Sequence, residues 1–131
     1  MAKRILLVED DKTVAELMTM VLDDEGYTVD WASTPEDGIR SVREYRPDLV
    51  LLDFTMLGSS GLAFFQRCRQ DPMWSQLAIV VMSGVSVSSM IWSDGFMPDA
   101  VLAKPFDIDE LCRVVARLVG GSTALADGAT V

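Results

Sequence analysis

Glu9 and Asp10 directly follow the apolar run Ile5 to Val8, and Asp53 ends the run Leu49 to Leu52. Ser83 follows Leu77 to Met82, and Lys104 follows Ala100 to Ala103. Each short apolar run bounded by turn residues reads as a strand buried on both faces, and parallel strands bring their carboxyl ends to one edge. In open α/β sheets that edge is where ligands bind. Three clustered carboxylates, in a chain with no His, suit a hard cation that takes oxygen ligands. Mg2+ is the usual choice where phosphate is handled. A Lys and a hydroxyl opposite such a metal would hold the remaining oxygens of a phosphoryl group. Taken singly, each has a plainer reading as a solvated acidic loop, a Ser-Gly turn or a Lys-Pro lead-in to a helix. All of them in register on one edge are hard to obtain by accident.

The intervening segments have to place these residues. Val14, Leu17, Met18, Val21 and Leu22 recur at helical spacing after the first strand, and Gly26 supplies a stop. Tyr27, Val29 and Trp31 alternate with polar residues, as in a half-exposed strand near an edge. Thr34 caps a second helix with Pro35 in its first turn, and Ile39 and Val42 give its apolar face. Leu62, Phe65 and Cys68 mark a third helix, ending near Asp71 and Pro72. Residues 85 to 99 suggest a short, weakly specified helix. Asp107, with Glu110 three residues on, caps a last helix whose stripe is Leu111, Val114, Val115, Leu118 and Val119. Five alternations of strand and helix predict an α/β fold, a doubly wound five-stranded parallel sheet with five helices.

The bulk numbers narrow the classes. With 131 residues the chain makes one domain, large enough to bury a core without disulfides or metal staples. The net charge of −9, from 20 acidic and 11 basic residues, argues against a nucleic-acid surface. No apolar run approaches the ~20 residues of a membrane span, and the apolar part of the amino terminus is too short for a signal peptide. Cys68 and Cys112 read as buried free thiols, which fits a cytoplasmic protein. The domain is expected over residues 3–119, with a disordered tail over 120–131 that lacks aromatic residues.

The chain resembles the receiver domain of bacterial two-component response regulators. The motifs that carry the resemblance are Val8-Glu9-Asp10-Asp11, the apolar strand ending at Asp53, Gly61 after the loop, Ser83-Gly84 and Lys104-Pro105-Phe106. The resemblance implies a flavodoxin-like receiver fold with strand order 2-1-3-4-5 and a cis Lys104-Pro105 bond. It implies that Asp53 accepts a phosphoryl group from a sensor histidine kinase or histidine phosphotransfer protein. Glu9, Asp10, Asp53 and the main-chain carbonyl of Thr55 would bind Mg2+, and Ser83 and Lys104 would contact the phosphoryl group. Such a receiver is not an enzyme toward other substrates. It catalyses only its own phosphorylation and dephosphorylation, and signals to a downstream protein target as a monomer or a phosphorylation-dependent dimer.

Several residues depart from the family pattern. Leu57 stands where a Pro is usual, and Ser60 where an Asp is usual. Val101 takes the position of a switching aromatic, a role that Trp92 or Phe96 would then fill. Thr55 and Val85 hold positions that line the path of hydrolytic water, and Val85 has no group to orient it, so slow self-dephosphorylation is expected. A phosphatase of the haloacid-dehalogenase type also uses an aspartyl nucleophile with Mg2+, but needs a second Asp two residues on, where Thr55 stands. The intact acceptor, acids and Lys argue against an interaction module that has lost phosphorylation. With no output segment after Val119, the expectation is a stand-alone receiver, or one excised from a longer chain, with no DNA-binding output.

Overall fold

Consecutive strand residues point to opposite faces, so a run such as Leu49 to Leu52 needs an apolar layer on each side. The computed structural model, which describes residues 2–54, 60–84 and 97–120, supplies both layers. In chain order the elements are β1 (Arg4–Val8), α1 (Lys12–Asp24), β2 (Thr28–Ala32), α2 (Pro35–Tyr45) and β3 (Leu49–Asp53). They continue with α3 (Ser60–Gln70), β4 (Ala78–Ser83), β5 (Ala100–Ala103) and α4 (Ile108–Leu118). The strands form one parallel sheet in the order β2-β1-β3-β4-β5. The expected doubly wound sheet and its order are therefore observed, as is the cis Lys104-Pro105 bond.

Alternation along the strands divides the core in two. Ile5, Leu7, Leu49, Leu51, Val80 and Met82 face a layer completed by Ala15, Met18 and Leu22 of α1 and Leu111 and Val115 of α4. Leu6, Val8, Val50, Leu52, Ile79 and Val81 face Val42 of α2 and Phe64, Phe65 and Cys68 of α3. Gly38 in α2 permits a close approach within the second of these layers. A Cβ there would come within 2.8 Å of the Phe64 ring and 3.2 Å of Val8, so any side chain would push α2 away from the sheet.

Local signals set the helix ends. Asp11 accepts hydrogen bonds from the N–H groups of Thr13 (2.9 Å) and Val14 (3.2 Å), so the third acid of the run after β1 is a helix cap. Thr34 accepts from Asp37 N–H at 3.1 Å, and Asp107 from Glu110 N–H at 2.7 Å.

Some expectations need correction. Leu17 is exposed, because the buried stripe of α1 runs through Ala15, Met18 and Leu22 instead. Cys112 is only half-buried, while Cys68 is fully buried and its thiol is pushed up to about 12 by that burial. Both are free thiols. Among the described residues there are four helices, and no helix is long and apolar enough to cross a membrane. The helix expected within residues 85–99 falls largely outside the described residues, as do Thr55, Leu57, Val85, Trp92, Phe96 and the tail from 121 onward.

Candidate functional site

Register decides which strand ends meet. Val8 pairs with Leu52, Asp53 with Met82, and Ser83 with Ala103. Glu9 therefore stands level with Asp53, and Lys104 lies one step beyond Ser83. Backbone bonds carry the ladder past the strand ends, with Phe54 N–H donating to the Met82 carbonyl and Lys104 N–H to the Ser83 carbonyl, both at 2.8 Å. Gly61, at the start of α3, fits tightly over the acceptor strand. A Cβ there would meet the Asp53 carbonyl oxygen and Phe54 Cα at 3.3 Å each, atoms of a buried backbone with little room to move.

On this edge Glu9, Asp53 and Ser83 are buried, with no more than 2% of each exposed, whereas Asp10 faces solvent. The Lys104 Nζ donates to Asp53 Oδ2 at 2.9 Å and lies 3.9 Å from Glu9 Oε1. Glu9 Oε2 accepts from Asp11 N–H at 3.2 Å. Glu9, Asp10 and Asp53 each offer one carboxylate oxygen, and these oxygens all lie within 4.8 Å of one another. Oxygens bound to one octahedral Mg2+ stand about 2.9 Å apart when adjacent and about 4.2 Å apart when opposite. The span of the cluster, up to 4.8 Å, is near the wider of these separations. Glu9 Oε1 is also buried without a hydrogen-bond partner, a cost that a cation would remove. The donor set, all oxygen and anionic, fits a hard cation.

Electrostatics agree with this geometry. Burial and the neighbouring Asp53 carboxylate push the Glu9 carboxyl up to about 7, against weaker lowering by Asp11 N–H and Lys104. In metal-free protein such a group contributes its stability fully below its unfolded value of 4.5, and the contribution is lost as pH rises through about 7. The melting temperature of wild type should therefore fall more than that of Glu9→Gln across this window, by about 10 °C. Thermal denaturation in chelator at a series of pH values checks this, and parallel curves for the two proteins would refute it.

The sequence model of the response regulator receiver domain matches residues 5–116. The chain belongs to that family. This receiver is similar to the transcriptional regulatory protein DltR of Streptococcus agalactiae, with 33% identity over 108 residues, 82% of this chain and 48% of DltR. It is also similar to the DNA-binding response regulator MtrA of Mycolicibacterium smegmatis, with 37% identity over 121 residues, 90% of this chain and 51% of MtrA. The chain thus spans about half the length of these curated relatives. A putative response regulator from Chloroflexus aurantiacus superposes with a TM-score of 0.82 at 30% identity, covering 92% of this chain and 99% of that one. The chemotaxis response regulator CheY4 of Vibrio cholerae gives 0.82 at 20% identity, covering 90% and 99%. At that identity the likeness bears on the fold alone.

Of the site residues expected from sequence, the receiver brings Glu9, Asp10, Asp53 and Lys104 together and places Ser83 on the neighbouring strand end. Thr55 lies outside the described residues. Val101, in place of an aromatic, is exposed on β5 at the sheet edge. Sequence reasoning missed one neighbour of the site, Trp31, whose indole Nε1 donates to the Glu9 carbonyl at 2.7 Å. The signal for it was a Trp near the end of an edge strand, since an indole N–H that is partly buried takes an acceptor.

Proposed function

We propose that this receiver accepts a phosphoryl group on Asp53, with Mg2+, from a sensor histidine kinase or histidine phosphotransfer protein in the cytoplasm. The observation that carries the reading is the 2.9 Å contact of Lys104 Nζ with Asp53 Oδ2, beside the Glu9 and Asp10 carboxylates. Glu9, Asp10, Asp53 and the Thr55 main-chain carbonyl would hold Mg2+, which supplies neutralisation of the incoming phosphoryl charge. An Asp53 oxygen attacks phosphorus in line. The new O–P bond forms as the donor's N–P bond breaks, and the imidazole leaves with the bonding electron pair. Asp53 gives up its carboxylate charge in the acyl phosphate, so Lys104 loses its ionic partner there and turns to the phosphoryl oxygens, with Ser83 donating beside it. That shift biases the surface around β5 and so alters contacts with a downstream protein.

Output in this reading runs through protein contacts rather than DNA, from a monomer or a phosphorylation-dependent dimer, and the only reactions catalysed are gain and loss of its own phosphoryl group. The test is incubation with acetyl phosphate and Mg2+ followed by intact-mass analysis, which should show one phosphoryl group added; none added would overturn the reading.

Lys104→Ala should fold and still accept phosphate but lose the response. Amide exchange along β5 should change on phosphorylation by several-fold in wild type and by less than about twofold in the variant. Equal changes in both would remove Lys104 from the relay.

A further inference from the structure

Trp31 makes a contact that the residues assigned to phosphoryl chemistry do not explain. It sits opposite Leu7, one residue before the end of edge strand β2. Glu9 N–H donates to the Ala32 carbonyl at 3.0 Å, the last rung of the parallel ladder between β1 and β2. The next rung would run from Thr34 N–H to the Glu9 carbonyl. β2 has ended at Ala32, however, and Thr34 has become the cap of α2. The indole N–H takes the place of that missing rung, at 2.7 Å.

The bonded oxygen belongs to the peptide that joins Glu9 to Asp10. That peptide is a planar trans unit, so holding its oxygen restricts the orientation of the whole plane. Both residues flanking the plane contribute carboxylates to the acidic cluster. Asp10 is exposed, so the direction of its side chain depends largely on its backbone. Core packing does not account for the Trp, because 41% of the residue is exposed.

We propose that Trp31 is a positioning residue for the Mg2+ site, its indole N–H holding the Glu9-Asp10 peptide in the orientation that brings both carboxylates to the cation. This rests on the metal site proposed above. Preorganisation of this kind acts on affinity: without the N–H, the peptide must be ordered when the cation binds.

The experiment is a Mg2+ titration of wild type and Trp31→Phe, which keeps an aromatic side chain, though a smaller one, and removes the donor. Calorimetry should show binding weakened about three- to tenfold in the variant, the range a net hydrogen bond spans. The Mg2+ concentration needed for half-maximal labelling by acetyl phosphate should rise by the same factor, with the rate at saturating Mg2+ unchanged. In wild type, the Trp31 indole N–H resonance, assigned through its own backbone, should shift along the Mg2+ titration with the calorimetric affinity. That measurement decides the matter even where Trp31→Phe fails to fold. Equal affinity in both proteins, a lower saturating rate in place of weaker affinity, or an indole resonance that stays fixed while Mg2+ binds would each overturn the role of Trp31 alone. No Mg2+ binding by wild type would overturn the metal site, and this role with it.

Discussion

Asp53→Asn is expected to abolish labelling by acetyl phosphate in the presence of Mg2+, while wild type gains one phosphoryl group. The substitution keeps side-chain volume and shape at a position only 2% exposed, so the packing of β3 against β1 and β4 is preserved. It replaces a carboxylate oxygen, which can carry an acyl phosphate, with an amide that is a far poorer nucleophile. It also removes one of three clustered negative charges, relieving repulsion on Glu9, although Lys104 gives up its ionic partner at 2.9 Å. Thermal stability should therefore be close to that of wild type, and the loss of labelling is then chemical rather than structural. Intact-mass analysis of both proteins under identical conditions reads the result. Equal labelling would move the acceptor elsewhere, and Asp10, exposed in the same cluster, would be the next residue to test.

Arg69→Ala is expected to lower stability by about 3 kcal/mol, a fall of about 10 °C in melting temperature for a domain of this size. Arg69 belongs to α3 and its side chain is only 8% exposed. Its guanidinium donates from Nη1 to the Leu77 carbonyl and from Nη2 to Asp99 Oδ2, both at 2.7 Å, and lies over the Phe65 ring at 5.2 Å. The same Asp99 oxygen accepts from Ile79 N–H at 2.8 Å, and Asp99 N–H donates to the Ile79 carbonyl at 2.9 Å. One side chain thus ties α3 to the segments leading into β4 and β5.

The Asp99 carboxylate is 39% exposed, so solvent screens the ion pair, and most of the cost comes from the Leu77 carbonyl losing its donor and from lost packing on Phe65. Arg69→Lys should recover little, because a single ammonium cannot reach both acceptors as the planar fork does. Urea and thermal denaturation measure the effect. A variant within about 2 °C of wild type would show that the network contributes no net stability. Labelling of Asp53 should persist in folded Arg69→Ala, since Arg69 lies beside the amino-terminal ends of β4 and β5 and the acceptor at the carboxyl-terminal edge.

The amino-acid sequence by itself determined the elements, their order and the edge on which chemistry gathers. Each of those rests on interactions within a few residues. Two-sided apolar runs require a sheet covered on both faces, Asp11, Thr34 and Asp107 cap helices through N–H groups two or three residues away, and parallel strands put all their carboxyl ends together. Glu9, Asp10, Asp53, Ser83 and Lys104 were readable for that reason.

Tertiary structure decided what those residues are to one another. The Lys104 contact with Asp53 spans 51 positions, that of Arg69 with Asp99 spans 30, and that of Trp31 with Glu9 spans 22. No local pattern encodes such separations. The same holds for the burial of Glu9 beside an exposed Asp10, and for the outward turn of Leu17 on a helix whose apolar spacing would have placed it inside. Hydrophobicity states that a residue gains from burial, but which face of α1 meets the sheet is set by the total packing of α1 and α4 over the strands, a property of the assembled layers. A side chain's type can be read where it stands in the chain; its partner exists only once the chain has closed around it.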